Sequence, residues 1–158
     1  MGNIFAASEI VEIGIQIEKN GKDFYENLSL KTKNLKAKDI FKFLASEEEK
    51  HIKTFQEILN SIEKYQPQGL DSDEYYAYMN ALASESVFTQ KDRGRELAEN
   101  IKNDLQAIEI GIQAEKDSII FYTAMKKVTS EYDQKAVDAV LAQEEAHLKK
   151  LVNLKENL

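Results

Sequence analysis

Apolar residues recur every three to four positions over four long stretches of the chain, a spacing that predicts four amphipathic helices. In the first stretch, roughly residues 6–31, the inward stripe includes Ile10, Ile17 and Phe24. The other predicted helices cover roughly residues 35–64, 96–129 and 132–156. Within each pair the link is short, so we expect two antiparallel hairpins, at about 6–64 and 96–156. The fold class is all-α, and residues 1–158 are expected to form a single domain.

The connection between the hairpins is much longer, at about residues 65–95. It contains Pro67, Gly69 and Gly94, and its pattern predicts a short helix from Asp71 to about Phe88. A helix of about 28 residues is about 40 Å long. A connection of this length can therefore run along the whole bundle, which predicts a four-helix bundle with one long crossover between helices 2 and 3.

The two hairpins resemble each other in sequence. Residues 12–25 and 109–122 are identical at nine of fourteen positions. Further along, Glu48, Glu49, His51 and Lys53 recur in the same order as Glu144, Glu145, His147 and Lys149. The chain therefore consists of two helical hairpins of common design.

Six ionisable residues interrupt the apolar stripes at matching heights of the predicted bundle. A buried carboxylate is unfavourable unless it is protonated, paired or bound to a metal, and four together repel one another. Two divalent cations would cancel the four negative charges, and a Glu and a His three residues apart share a helix face. The six candidate metal ligands are Glu18, Glu48, His51, Glu115, Glu144 and His147.

One Glu from each of two helices and a Glu-x-x-His from each of the other two is the pattern of di-iron and di-manganese bundles. Oxygen and imidazole ligands suit iron or manganese. Neighbouring charges such as Glu47, Glu49 and Lys50 are expected on the solvated face. The alternative is a structural bundle without metal, whose polar core residues are held by mutual hydrogen bonds.

Two tyrosines and one crossover carboxylate are further candidates. Tyr25 and Tyr122 each follow a first-helix glutamate of their hairpin by seven residues and lie on its face. Each hydroxyl either bonds a ligand carboxylate on a facing helix or belongs to a half-buried aromatic with no chemical role. Glu85 in the crossover is expected to be a surface carboxylate.

Composition excludes several classes of function. The chain has no Cys, which excludes disulfides, iron–sulfur clusters and thiolate-bound zinc. Its net charge is −7 and no basic stripe is present, so we expect no nucleic-acid partner. No apolar stretch of membrane-spanning length and no leader-like N-terminus are seen, so we expect a cytoplasmic protein with no membrane partner.

The order Glu, Glu-x-x-His, Glu, Glu-x-x-His, the segment ASEEEKHIKTF and the paired FY blocks resemble the rubrerythrin-type branch of the ferritin-like superfamily over nearly the whole chain. The resemblance implies a ferritin-like homodimer with two iron ions, manganese or a mixed pair being the alternative. It implies reduction of hydrogen peroxide or dioxygen in oxidative-stress defence. Tyr25 and Tyr122, selected by their spacing, are the candidate catalytic residues. The resemblance also implies that Glu48 and Glu115 bridge the metals, the remaining ligands being terminal.

The sequence departs from this family pattern in two ways. Rubrerythrins usually carry a rubredoxin-like iron–Cys domain, whereas this chain has no Cys, so electrons are expected from a separate donor protein. The family pattern also has a further Glu where this chain has Ser118, which leaves a six-residue ligand set closer to that of ferritins. A ferroxidase, or an iron-handling or iron-storage protein, is the alternative to a peroxidase.

Overall fold

The computed structural model describes residues 7–62 and 72–158, which form six α-helices and, within those residues, no strand. Four of these helices are long, and two shorter ones lie between the second and third long helices. In chain order they are α1 (Ala7–Lys31), α2 (Leu35–Ile62), α3 (Ser72–Glu85), α4 (Arg93–Glu99), α5 (Asp104–Met125) and α6 (Glu131–Glu156). The prediction of an all-α chain is confirmed.

Short polar links close both hairpins. Between α1 and α2, the side chain of Asn34 accepts a hydrogen bond from the amide of Ala37 (3.0 Å). Between α5 and α6, a 3-10 turn at Lys126–Val128 leads to Ser130, whose hydroxyl accepts from the amide of Asp133 (3.2 Å). Asn and Ser are preferred at helix N-termini because they satisfy amides that have no partner inside the helix. These caps fix where α2 and α6 begin.

The third long helix is shorter than predicted. The sequence predicted one helix over roughly residues 96–129, but four residues that belong to neither helix separate the end of α4 at Glu99 from the start of α5 at Asp104. Asn103 has extended backbone, and its side chain accepts from the amide of Gln106 (2.8 Å), which starts a new helix. The ammonium group of Lys31, at the end of α1, donates to three carbonyls in this break. Those carbonyls belong to Ala98 (3.3 Å), Glu99 (3.2 Å) and Ile101 (2.7 Å).

The crossover packs on its own bundle where the structure describes it. Its first helix, α3, ends at Glu85, three residues before the predicted end at Phe88, and Pro67, Gly69 and the predicted start at Asp71 lie outside the described residues. The hydroxyl of Tyr75 in α3 donates to the carbonyl of Ala124 in α5 (2.7 Å). This bond holds α3 against the C-terminal end of α5.

The short helix α4 approaches α1 at backbone contact distance. A Cβ atom on Gly94 would lie 1.9 Å from the carbonyl oxygen of Asn20, so only glycine fits. Asp92, two residues earlier, has a left-handed φ of 62°. The side chain of Asn20 donates to the carbonyls of Phe88 (2.6 Å) and Gln90 (2.7 Å) and accepts from the amide of Gly94 (3.1 Å). One side chain of the first hairpin therefore fixes the end of the crossover.

The apolar core lies between the four long helices and is rich in aromatic side chains. Its fully buried aromatic residues are Phe24, Phe41, Phe55, Phe121, Tyr25 and Tyr122. No helix in the described part of the chain combines the length and apolar character that a membrane span requires.

Candidate metal centre

The six predicted ligands meet in the middle of the bundle. Each long helix contributes ligands from its inward face. Helices α1 and α5 contribute one glutamate each. Helices α2 and α6 each contribute a glutamate and a histidine three residues apart, a spacing that places both on the same side of the helix. All six are at most 3% exposed. They are Glu18 (0%), Glu48 (3%), His51 (2%), Glu115 (2%), Glu144 (0%) and His147 (1%).

Their side-chain atoms form two groups, in each of which the potential ligand atoms lie within 4.8 Å of one another. One group contains Glu18, Glu48, His51 and Glu144, and the other contains Glu48, Glu115, Glu144 and His147. Two neighbouring groups of this kind match two adjacent metal positions.

The glutamates common to both groups are Glu48 and Glu144. This arrangement differs from the expected bridging pair of Glu48 and Glu115, because Glu115 belongs to one group only. The repeat gives the physical reason: Glu48 and Glu144 occupy equivalent places in the two Glu-x-x-His motifs, so the same geometry brings both to the centre. Glu48 and Glu144 are therefore the carboxylates that lie within reach of both candidate positions.

The two imidazole rings present the same nitrogen to the carboxylates. Nδ1 of His51 lies 3.2 Å from Glu144 Oε1 and 3.5 Å from Glu18 Oε2. Nδ1 of His147 lies 3.2 Å from Glu144 Oε1 and 3.5 Å from Glu48 Oε1. The rings are 5.8 Å apart and nearly parallel, at 23°. Nδ1 of each ring is therefore the atom available to a metal ion.

The polar atoms of this cluster are not satisfied by one another. Buried polar groups normally have hydrogen-bond partners. Within the described residues, eight buried side-chain atoms have none, and all eight belong to the six candidate ligands. This observation disfavours a structural core held by mutual hydrogen bonds, and it fits metal ions as the missing partners. The atoms are Glu18 Oε2, Glu48 Oε1, His51 Nδ1, Glu115 Oε2, Glu144 Oε1 and Oε2, and His147 Nδ1 and Nε2.

Without metal, the site holds protons. Burial, followed by the charge of Glu144, raises the pKa of both Glu48 and Glu115 well above the usual value. Burial opposes ionisation of Glu144 as well, but the imidazoles of His147 and His51, whose Nδ1 atoms each lie 3.2 Å from Glu144 Oε1, outweigh it and lower that pKa to about 2. Burial disfavours the charged form of His51, but Glu144 and Glu18 outweigh it and raise its pKa to about 11. Cations entering this site therefore displace protons.

Each of the two tyrosines bonds a candidate ligand of the other hairpin. The hydroxyl of Tyr25 donates to Glu115 Oε1 (2.9 Å), and that of Tyr122 donates to Glu18 Oε1 (2.7 Å). Both rings are at most 1% exposed. Burial, followed by nearby carboxylates, raises both tyrosine pKa values well above the usual range, so the hydroxyls keep their protons and act as donors. The spacing of the tyrosines left two interpretations, a hydrogen bond to a ligand carboxylate on a facing helix or an aromatic with no chemical role. The structure contains the hydrogen bond for both tyrosines.

Two residues outside the predicted set contact the imidazoles. Gln143 Oε1 lies 2.6 Å from Nε2 of His51, and Glu47 Oε1 lies 3.8 Å from Nε2 of His147. The expectation that Glu47 is solvated was wrong, because its side chain is only 13% exposed. The signal was present in the repeat, since Glu47 and Gln143 each precede the glutamate of a Glu-x-x-His motif. Glu85, in contrast, ends α3 and is exposed, as expected.

Comparisons with known proteins agree with this architecture. The family model described as Rubrerythrin matches residues 9–155. Among solved structures, a ferritin-like diiron-carboxylate protein from Thermotoga maritima is similar, with a TM-score of 0.71 and 25% identity over 99% of this chain and 98% of that one. No curated protein sequence matches the chain. The ferritin-like bundle that the sequence predicted is confirmed.

Proposed function

The chain belongs to the rubrerythrin family, and on that basis we propose that it is a di-iron oxidoreductase which reduces hydrogen peroxide, or dioxygen, with electrons from a separate donor. The observation that carries the proposal is the pair of buried carboxylate–imidazole groups that share two glutamates. The family and this cluster together support a two-metal site. Defence against oxidative stress is the corresponding physiological role.

The donor set favours iron, with manganese as the alternative. Four carboxylates carry four negative charges that two divalent cations would balance, and no thiolate is available because the chain has no Cys. Glu18 and His51 would hold one ion, Glu115 and His147 the other, and Glu48 and Glu144 both. The last pair corresponds to the two glutamates common to both groups.

When bound, two ferrous ions supply the two electrons that, with two protons, reduce one hydrogen peroxide to two waters. The surrounding residues prepare the site. Burial excludes bulk water, which strengthens every electrostatic interaction between the ligands. The hydroxyls of Tyr25 and Tyr122 keep their protons and donate to Glu115 and Glu18, so we assign the tyrosines a positioning role. Each fixes one carboxylate oxygen and leaves the other, Oε2, facing the site without a partner.

A ferroxidase is a second candidate, and one residue favours it. The hydroxyl of Ser118 donates to the carbonyl of Ala114 in its own helix (3.0 Å). It therefore offers no carboxylate at the place where the rubrerythrin pattern has a further glutamate. A site with six ligands resembles that of ferritins, which use the same chemistry to oxidise ferrous iron as a substrate.

The proposal is tested by loading protein purified without oxygen with ferrous iron, measuring iron per chain, and then adding peroxide or dioxygen. We expect about two irons per chain and oxidation of both by one equivalent of peroxide, followed in the near-ultraviolet absorption of oxidised iron. Rapid turnover with peroxide and a supplied reductant supports a peroxidase. Turnover of excess ferrous iron with dioxygen instead supports a ferroxidase.

Two neighbouring glutamates provide the variants. Glu48→Ala removes a carboxylate common to both groups and is expected to abolish paired metal binding. Glu49→Ala removes the next carboxylate of the same helix, which is 42% exposed and pairs with Lys22 (2.9 Å), and should bind metal as the parent does. Retention of two irons by Glu48→Ala, or no uptake by the parent, would overturn the proposed site.

A further inference from the structure

The outer nitrogens of the two histidines face residues of different charge at equivalent places of the repeat. Nε2 of His51 is 2.6 Å from the amide oxygen of Gln143 on α6. Nε2 of His147 is 3.8 Å from the carboxylate of Glu47 on α2. Positions 47 and 143 are separated by the same 96 residues as the two Glu-x-x-His motifs that follow them. One imidazole therefore has a neutral outer neighbour and the other a charged one.

The remaining parts of the two groups match closely. Both contain Glu48 and Glu144, and each adds one glutamate and one histidine. The added glutamates, Glu18 and Glu115, each accept one tyrosine hydroxyl, at 2.7 and 2.9 Å. The unequal outer neighbours are therefore the clearest chemical difference between two otherwise similar positions.

An outer carboxylate and an outer amide act differently on a ligating imidazole. When Nδ1 holds a metal ion, Nε2 carries the proton. On His51 this nitrogen is within hydrogen-bond distance of the Gln143 amide oxygen (2.6 Å), whereas on His147 it lies 3.8 Å from the Glu47 carboxylate, which acts there through its charge. A carboxylate beside the ring adds a negative charge near the metal, which favours a bound cation in a site of low dielectric, and loss of a residue next to a ligand commonly weakens metal binding about 10–100-fold. A neutral amide orients the ring but adds no charge. Glu47 also pairs with Lys50 (3.0 Å), which holds its side chain beside the site.

We propose that the two metal positions load in sequence, the position of His147 first, and that Glu47 and Gln143 set this order. The inference rests on the proposed two-metal site and adds an inequality that the ligand set alone does not contain. It makes Glu47 and Gln143 positioning residues, because neither is a candidate ligand: Gln143 acts through the ring of His51, and Glu47 acts through its charge beside His147. When less metal is present than is needed to fill both positions, the main metal-bound state then has one ion, at the His147 position.

The test is a calorimetric titration with Co²⁺, a redox-stable substitute for ferrous iron, at constant pH. The parent should show two binding events that differ about tenfold or more in affinity. Glu47→Gln should weaken the tighter event about tenfold, and Gln143→Glu should tighten the weaker one by a similar factor. Both substitutions are nearly isosteric, and circular dichroism checks that the helices are retained. Glu49→Gln, which removes a more exposed charge on the same helix, should leave both events unchanged.

Single-site variants assign the events to positions. In His51→Ala the remaining event should be the tight one and should weaken when Glu47→Gln is added. In His147→Ala the remaining event should be weak and should not respond to Glu47→Gln. Two equal affinities in the parent, or equal effects of Glu47→Gln and Glu49→Gln, would overturn this inference while leaving the proposed function intact. Absence of any Co²⁺ and Fe²⁺ uptake would overturn both.

Discussion

Substitution of Asn20 is expected to release the crossover from the bundle. This side chain is buried, and its amide group makes three hydrogen bonds to the backbone of one short segment. It donates to the carbonyls of Phe88 (2.6 Å) and Gln90 (2.7 Å) and accepts from the amide of Gly94 (3.1 Å). Asn20→Ala removes all three bonds and leaves the Gly94 amide, which is packed against α1, without an acceptor.

The size of the effect follows from those contacts. A typical buried hydrogen bond contributes about 1 kcal/mol net, and a buried donor left without a partner costs about 1–3 kcal/mol. Three bonds and one orphaned amide therefore give about 4–6 kcal/mol. In a chain of this length about 2–4 °C of melting temperature corresponds to each kcal/mol, so the expected fall is about 8–24 °C. Asn20→Asp should be at least as harmful, because it keeps the acceptor for Gly94 but sets a carboxylate against two carbonyls.

Urea and thermal unfolding of the metal-free protein measure this loss without a contribution from metal binding. Asn27→Ala is the matched control, because Asn27 lies on the same helix but bonds only the carbonyl of Asp23, within that helix (2.7 Å). Hydrogen exchange should show lost protection at Gly94 in Asn20→Ala and not in Asn27→Ala. If the two variants differ by less than about 1 kcal/mol, the reasoning from buried hydrogen bonds is refuted.

Three further predictions concern the site itself. Tyr122→Phe removes the donor to Glu18 and should weaken Co²⁺ binding about 10–100-fold by calorimetry; unchanged affinity would contradict the positioning role. Glu144→Ala should eliminate both metal positions in elemental analysis, whereas Glu115→Ala should leave about one ion per chain; the reverse order would restore the bridging pair first expected. Because burial and then Glu144 raise the pKa of Glu48 and Glu115, the native state retains protons that the unfolded chain releases above about pH 4.5. Metal-free stability should therefore fall as the pH rises above about 5, by up to about 1.4 kcal/mol per pH unit for each retained proton, and calorimetry showing the opposite trend would refute these pKa directions.

The ligand positions were predictable because charge interrupts an apolar stripe in only a few places. Glu18 and Glu115 stand among inward apolar residues of matching blocks, and His51 and His147 follow their glutamates at the same spacing. A local pattern and an internal repeat both identify such residues without any tertiary information. The structure places all six candidates together for that reason.

The break before α5 and the role of Asn20 were not predictable in the same way. The apolar residues Ile101, Leu105 and Ile108 continue a helical period through the break, so periodicity alone favours one uninterrupted helix. The group that satisfies the broken end is Lys31, about 70 residues earlier in the chain. Asn20 likewise bonds backbone atoms 68 to 74 residues away. Nearly every residue has the same backbone groups, so the sequence does not indicate which of them a distant side chain will bond.

The expected bridging pair of Glu48 and Glu115 follows the order of the motifs, whereas the two groups of ligand atoms share Glu48 and Glu144. The internal repeat carries the better constraint: any role that Glu48 has by virtue of its place must be shared by Glu144, its equivalent. The pair of Glu48 and Glu115 joins residues from different places of the repeat and would break the approximate two-fold relation of the hairpins. Repeat equivalence therefore favours Glu48 and Glu144 as the shared carboxylates.

The same equivalence shows that neither hairpin contains a complete site. Each four-residue group takes three residues from one hairpin and one glutamate from the other. The outer contacts cross as well, since Tyr25 bonds Glu115, Tyr122 bonds Glu18, and Gln143 contacts His51. Ligand geometry on one side is thus fixed by side chains of the other, so metal affinity and hairpin association are linked quantities. A substitution that loosens the hairpins should weaken metal binding even when it touches no ligand, and a bound metal should in turn stabilise the contact between them.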